Sequence, residues 1–396
     1  MGYYVGHSRP DRHSSGVSYM KSKTAILVNQ SSGYLTVDIC NSFAEEYERV
    51  VLLAGKVSPM SRKLSDKVEV VKITPYDKSG LFKRFRSWMK GARDIDSYLE
   101  SVTEPADILY FTNPPVSYQL ADRRKGRFAV VEYDIYPDIL RNVFVPEFII
   151  RRLGRRKREI LSKASGVVTL GDAMRNLLTA YCPKDKISVI HNWGGQESHM
   201  VRIPKTDNPF VKELGLEGKF VVMYSGNIGL THNVESLLDV ASLLTEEDSI
   251  RFLIIGSGVR KDKLKDLAAR RGLNNVTFHD FLPEDRLQYS FSCADLGVVT
   301  LNEKTARSSV PSKTYNLLSY GIPLLNISPP QSELGNLINQ FDCGASFIAS
   351  DSEGIAEFIR KCARNPELID KLRENAHKAS ESFSVENARL YTEIFK

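Results

Sequence analysis

No apolar run in this 396-residue chain approaches the roughly 18 residues that a membrane-spanning helix needs, and the N-terminus lacks the apolar core of a secretory signal. Residence in the cytoplasm is the expectation. Cysteine is sparse: Cys40, Cys182, Cys293, Cys343 and Cys362 are scattered, odd in number and without a C-x-x-C pair. This speaks against a disulfide framework or a zinc cage and leaves reduced core thiols. A complete Gly-x-Gly-x-x-Gly is also missing. The nearest approach, "IIGSGVRKDKL", has Lys261 where the third glycine would stand, and no adjacent strand ends in an acidic residue to hold a ribose. No nucleic-acid motif appears, and the basic residues are not interleaved with aromatic stacking platforms, so nucleic acid is not an expected partner.

What is present is the composition of a globular protein, with 42% hydrophobic and 26% charged residues, and a length that suits two domains. The net charge of +6 favours an anionic partner. Residues 1–22 are polar and aperiodic, and read as a disordered leader or an added extension, with Met20 as a candidate natural start. From "TAILVNQ" onward, short β-branched runs alternate with amphipathic stretches, which predicts a parallel sheet covered by helices. The pattern fails from Gly194 to Pro209, then resumes with "FVVMYSG" and "RFLIIGSG". The expected division is a first domain over 23–200, a second over 201–378, and an amphipathic C-terminal helix over 379–396.

In open parallel sheets, ligands settle beyond the carboxyl ends of the strands, where glycine loops let backbone approach. Three loops of the second half qualify. "YSGNIGLTHN" offers Gly226, Asn227 and Gly229; "IIGSGVRKDKL" offers Gly256 and Gly258; "RSSVPSKTYNLLSYGIP" offers Ser312 and Lys313, with Pro311 expected in the first helical turn. A lysine there is a compact charge for a phosphate.

Taken in order, "YSGNIG", "FLIIGSGVRKDKLKDLA", "VTFHDFLPEDRLQYSFSCADLGVVTL" and "PSKTYNLLSYGIPLL" resemble the C-terminal domain of GT-B glycosyltransferases of family 4, the retaining sugar-nucleotide enzymes, and most closely the subgroup that builds bacterial surface polysaccharides. "VEYDIYPDIL", "ASGVVTLGDAMRNLL" and "ISVIHNWGG" match the first domain more loosely. The resemblance implies two Rossmann-like domains facing a cleft, with a C-terminal helix crossing back to the first. It implies a nucleotide-sugar donor, UDP- or GDP-linked, bound by the second domain, a saccharide acceptor held by the first, and no cofactor or metal. Lys313 falls on a diphosphate-binding position with a catalytic role, and Gly226 to Gly229 on the loop beneath the phosphates. Phe281 and Leu282 fall on the segment whose backbone reads the base. Asn316 and Ser308 stand where most members carry paired glutamates for the ribose and the donor sugar, and Asn227 and His232 stand where many carry Arg and Lys. An amide at Asn316 still suits a ribose hydroxyl, and Ser308 or Ser309 a sugar hydroxyl. Tyr133 and Asp134 fall on the acceptor side, where Asp134 would orient or deprotonate an acceptor hydroxyl or else cap the next helix. Gly33 falls on the first-domain loop across the cleft. Rival readings are a nucleotide-sugar 2-epimerase of the same fold and a partner subunit that has lost catalysis.

Two further stretches bear on partners. "FVPEFIIRRLGRRKREILSK" sets Arg151, Arg152, Arg155, Arg156, Lys157 and Arg158 beside apolar residues, and "LFKRFRSWMKGAR" does the same from Lys83 to Arg93. Basic amphipathic helices suit an anionic membrane surface, which implies a lipid-linked acceptor and peripheral attachment to the inner face of the membrane.

Overall fold

The computed structural model describes residues 22–77, 79–115, 117–119, 126–138, 140, 145–195, 200–229, 233–301, 306, 311–329 and 331–396. The leader, apart from Ser22, and Ser308, Ser309 and His232 lie outside the described residues. Among them, the first half forms a seven-stranded sheet from β1 (Thr24–Val28), β2 (Arg49–Ala54), β3 (Val68–Lys72), β4 (Ala106–Phe111), β5 (Phe128–Val131), β6 (Gly166–Thr169) and β7 (Ile187–Val189). Their order is β3-β2-β1-β4-β5-β6-β7, and every pairing is parallel. β4 and β5 are buried along their whole lengths, as in a sheet covered on both faces. The covering helices are α1 (Tyr34–Glu46), α2 (Leu81–Ser101), α3 (Glu147–Lys163) and α4 (Asp172–Leu178).

The second half repeats the plan with β8 (Phe220–Ser225), β9 (Ile250–Ile255), β10 (Val276–His279), β11 (Leu296–Thr300), β12 (Leu324–Ile327) and β13 (Gly344–Phe347), in the order β10-β9-β8-β11-β12-β13. Its helices are α5 (Pro209–Glu213), α6 (Glu235–Ser242), α7 (Lys261–Arg270), α8 (Leu287–Cys293), α9 (Lys313–Ser319), α10 (Glu333–Phe341), α11 (Ser352–Arg364) and α12 (Pro366–Glu381). In each sheet the strand order reverses once, beside β1 and β4 in the first and beside β8 and β11 in the second. Loops leaving such neighbours diverge and open a crevice at the carboxyl ends of the strands. Apolar side chains fill both faces of each sheet, and all five cysteines are buried and unpaired.

Two features differ in detail from the sequence expectation. The last helix of the second domain, α12, runs to Glu381 rather than stopping near 378. The crossing segment, Val385–Phe395, is a succession of 3₁₀ turns and not an α-helix. Its buried residues Ala388 and Tyr391 are three apart, the repeat of a 3₁₀ turn, and together with Phe395 they pack among Ile39 and Phe43 of α1 and Trp193.

The segment joining the domains is tied down from both sides. Trp193 Nε1 donates to Asp38 Oδ2 at 2.7 Å, and the Arg62 guanidinium clamps both Asp38 oxygens at 2.8 Å while reaching the Gly194 carbonyl at 3.1 Å. A second tie runs from the backbone N–H of Ala173, in the first turn of α4, to the carboxylate of Glu333 in the first turn of α10.

Candidate active site

The second-domain side of the candidate site is assembled from backbone. β8 ends at Ser225 and is followed by Gly226, whose N–H donates to the Ile255 carbonyl of β9 at 2.9 Å, and the N–H of Ile228 donates to the Ser257 carbonyl at 2.9 Å. The two glycine loops therefore lie against each other. Gly256 has φ +151° and a Cβ there would overlap the Gly226 carbonyl oxygen, while one at Gly258, also at φ +151°, would strike the Ile228 carbonyl. Only glycine permits this approach. The Asn227 side chain curls back over Gly258 and Gly229, and the Tyr224 hydroxyl donates to the Asn227 carbonyl at 2.7 Å.

Lys261 explains why the third glycine is absent. Its Nζ is turned inward to the carbonyls of Gly256 (2.7 Å) and His279 (2.9 Å) and to Asp280 Oδ1 (2.5 Å), so it ties the ends of β9 and β10 together. The sequence reading missed this role because it compared Lys261 with a glycine template. Beyond β10, Phe281 is about half exposed and Leu282 is packed in the core, so the Leu282 side chain is spent on packing.

Lys313 opens α9, with Pro311 just ahead of the helix rather than in its first turn: the Pro311 carbonyl accepts from Thr314 N at 3.0 Å and so forms the entry turn. The lysine stem is partly exposed, but Nζ is shielded, 4.0 Å from the centre of the Tyr224 ring, and a Cβ on Gly226 would come within 2.5 Å of it. Among the described residues this ammonium has no hydrogen-bond partner. Desolvation pushes its pKa down to about 7. A cation held beside the Gly226 loop, with no hydrogen-bonded counter-charge among the described residues, is arranged to receive an anion.

Asn316 is differently placed from the ribose contact expected of it. Its Oδ1 accepts from Gly195 N at 2.9 Å, so half of the amide is spent on the interdomain segment and only Nδ2 remains for a ligand. Ser312 is exposed, and a hydrogen bond joins it to Tyr34, whose hydroxyl also donates to the Trp193 carbonyl at 2.8 Å. This contact sets the start of α1, with Gly33, across the cleft from Lys313. Gly33 has ordinary extended backbone, and a Cβ there would meet nothing within 4 Å. Neither strain nor packing within the protein requires glycine at this position, and it lines the first-domain cavity.

The first-domain side holds a cavity of about 280 Å³ whose walls include Asn29, Gly33, Asn113 and Asp134 together with Tyr76, Trp88 and Tyr136. Asp134 is reached by solvent from the cavity, yet the surrounding walls raise its carboxyl above the usual range by desolvation. It does not cap α3, whose N-cap is Pro146. Tyr133 lines the cavity with its ring, but its hydroxyl lies 3.4 Å from that of Tyr391 in the crossing segment. Of the Tyr133–Asp134 pair, then, the carboxylate supplies the polar group toward the cavity. The loop carrying it is pinned by Lys157, the one residue of the basic run in α3 that points inward. Its Nζ lies 2.9 Å from Glu132 Oε1 and donates to the Tyr136 carbonyl at 2.7 Å.

Residues 207–379, essentially the second domain, match the family described as glycosyl transferases group 1. Over 353 residues the chain is 26% identical to a probable glycosyltransferase, WbjE, of Pseudomonas aeruginosa, covering 83% of this chain and 85% of that one. A putative colanic acid biosynthesis glycosyl transferase, WcaI, of Escherichia coli K12 is 29% identical over 170 residues, covering 43% of this chain and 42% of that one. Among solved structures, HepE of Anabaena, in complex with UDP and glucose, superposes with a TM-score of 0.67 at 17% identity, covering 93% of this chain and 98% of that one. The fold is GT-B, two parallel-sheet α/β domains, and the matches support a glycosyl-transferring enzyme with homologues in bacterial polysaccharide biosynthesis.

Proposed function

We propose that the protein transfers a sugar from a nucleoside-diphosphate sugar, bound by the second domain, to a saccharide acceptor in the first-domain cavity, in the assembly of a bacterial surface polysaccharide. The observation that carries this is Lys313: a desolvated ammonium, without a hydrogen-bond partner among the described residues, held against Tyr224 and the Gly226 loop, next to Ser312, which bonds Tyr34 of the first domain. Such a group stabilises charge that grows on a departing diphosphate more than it stabilises the intact donor, and this difference is what accelerates transfer. The UDP bound to HepE supports a uridine nucleotide as the first donor to try.

In this reading the anomeric carbon breaks its bond to the diphosphate oxygen and forms one to the acceptor oxygen on the same face, with retention. The acceptor proton passes to the leaving diphosphate, while Asp134 orients the acceptor hydroxyl. Attachment to the membrane face and a lipid-linked acceptor belong to the same proposal. No described helix is long and apolar enough to cross a membrane, but α2 and α3 hold Phe82 and Phe148 in solvent at 78% and 66% exposure amid their basic residues. An epimerase would need cleft carboxylates and a histidine. Of the three described histidines, His191 is engaged with the Leu170 carbonyl, His279 with the Asp280 carbonyl and the Phe210 ring, and His377 sits against Gly321 beyond α9.

Thermal-shift screening against UDP-, GDP- and other nucleotide sugars tests the donor reading, because a ligand that prefers the folded state raises apparent stability. A UDP- or GDP-sugar should raise the melting temperature and be turned over with a saccharide acceptor. No shift with any nucleotide sugar would sink the proposal. Binding without hydrolysis or transfer across an acceptor screen would instead favour the non-catalytic partner.

A further inference from the structure

A groove of about 540 Å³ opens at the other end of the second sheet, where the chain enters β8 and β11. Phe220, the first residue of β8, and Asp295, just ahead of β11, form part of its wall. The Gly226 loop follows the opposite end of β8, and with six residues in that strand roughly 17 Å separates loop and groove. One face of α12, carrying Pro366, Ile369 and Arg373, closes a second side. The segment joining the domains supplies a third, through Arg202 to Lys205.

The charges that line this groove do not balance. Arg202, Lys205, Lys219 and Arg373 share it with one carboxylate, Asp295. That carboxylate is already crowded: it accepts from Arg373 Nη2 at 2.7 Å, from Lys205 Nζ, and from the backbone N–H of Val221 at 2.8 Å. Arg373 Nη1 turns to Asp370 on its own helix at 2.9 Å, and its Nε is buried without a partner among the described residues. Arg202 donates to the carbonyls of Ser292, at 3.1 Å, and Ala294, and to no carboxylate among the described residues. Burial holds its pKa below the usual range, and the neighbouring Arg373 adds to this while Asp295 opposes it. An ion network that served only to anchor the joining segment would be more stable with a second carboxylate here. The groove has instead an excess of positive charge and an unfilled donor beside apolar side chains, Ile203, Phe220 and Ile369.

We propose that this groove binds a small organic phosphate, its phosphate held by Arg202 and Arg373 and its apolar or aromatic body laid along Phe220 and Ile369. The length of β8 between groove and Gly226 keeps the occupant out of the transfer chemistry, so this is a second site and stands independently of the transfer reading above.

Phenyl phosphate is the probe, with inorganic phosphate and phenol as its two halves. Calorimetric titration into the full chain should show saturable binding of phenyl phosphate, and each half should bind at least about tenfold more weakly. Arg202→Gln should weaken phenyl phosphate by about tenfold and leave nucleotide-sugar affinity unchanged. Arg373→Lys keeps the charge but removes the Nε donor, and should weaken it by a similar factor; it carries the test if Arg202→Gln does not fold. Lys313→Met should leave phenyl phosphate binding as it is. Phenyl phosphate binding no better than inorganic phosphate, or binding unaltered in the groove variants, would overturn the site. Binding lost in Lys313→Met and kept in Arg202→Gln would overturn it too, by moving the anion to the Gly226 loop.

Discussion

The two sides of the cleft are built from different materials. The proposed donor side is backbone: Gly226 against Gly256, Ile228 against Gly258, with the Lys313 ammonium beside Gly226. The acceptor side is side chain: Asp134, Asn29 and Asn113 on strand-end loops, walled by Tyr76, Trp88 and Tyr136. A site of the first kind leaves a local mark in the sequence, because close backbone approach demands glycine at fixed offsets. A site of the second kind leaves almost none, because aromatic and amide residues occur throughout any α/β protein and only the fold brings these together.

The largest expected effect lies under the acceptor side. Lys157 and Glu132 form an ion pair with both side chains almost wholly buried, at the foot of the loop that carries Asp134. Removing one partner strands the other, so Lys157→Met should cost about 3–5 kcal/mol in denaturant unfolding. The double variant Lys157→Met with Glu132→Gln should recover much of that loss, because no uncompensated charge remains. A single variant as stable as the wild type would mean that the pair does not support the loop.

The donor side should show the opposite relation between stability and activity. Lys313→Met removes an ammonium that the fold desolvates without a partner, so the melting temperature should hold or rise while transfer falls by about 10²–10³-fold in kcat. A parallel fall of stability and activity would make Lys313 a packing residue.

Glycine substitutions sharpen the comparison at a smaller scale. Gly256→Ala forces a methyl onto the Gly226 carbonyl in a backbone region that favours glycine, and should cost about 1–3 kcal/mol and loosen donor binding. Gly33→Ala meets open space and ordinary backbone, so the fold should tolerate it, and any loss should appear in substrate KM alone. Equal destabilisation by the two would erase the distinction between a glycine required by the protein and one left open toward a ligand.

Much of this architecture could be read from residue order. Alternating β-branched runs and amphipathic stretches mark both sheets, since strands covered on both faces are continuously apolar. The glycine loops and Lys313 could be singled out because their chemistry is local. The contact of Asn316 with Gly195 N could not be read, because Gly195 lies in an irregular segment far away in the chain. Lys157 was hidden for a different reason. It sits in a basic run whose other members face outward, and helical phase within so dense a run does not say which cation will find a buried carboxylate. Trp88 was visible as part of a basic amphipathic helix, but its place in the cavity wall exists only where Tyr76 and Tyr136 pack against it.

The smallest effect expected here is a slope with pH, and it isolates Lys313 from everything around it. In the free protein its pKa is pushed down to about 7 by desolvation, from 10.5. The diphosphate of a nucleotide sugar is fully ionised near neutrality, so its own charge does not change, and once bound it restores the protonated lysine to a higher pKa. Below pH 7 the ammonium is already charged and affinity should be flat. Above pH 7 each binding event must take up a proton, and affinity should fall by about tenfold per unit, or roughly 1.4 kcal/mol. Stability of the ligand-free protein responds in the other direction. Between about 7 and 10.5 the unfolded chain holds the Lys313 proton and the folded one does not, so this group makes unfolding harder as pH rises through that window. Calorimetry of the nucleotide sugar with the largest thermal shift, from pH 6 to 9, should show the proton uptake directly, and Lys313→Met should flatten both slopes. A binding slope that survives in the methionine variant would assign the proton to another group and return Lys313 to the status of an ordinary shielded lysine.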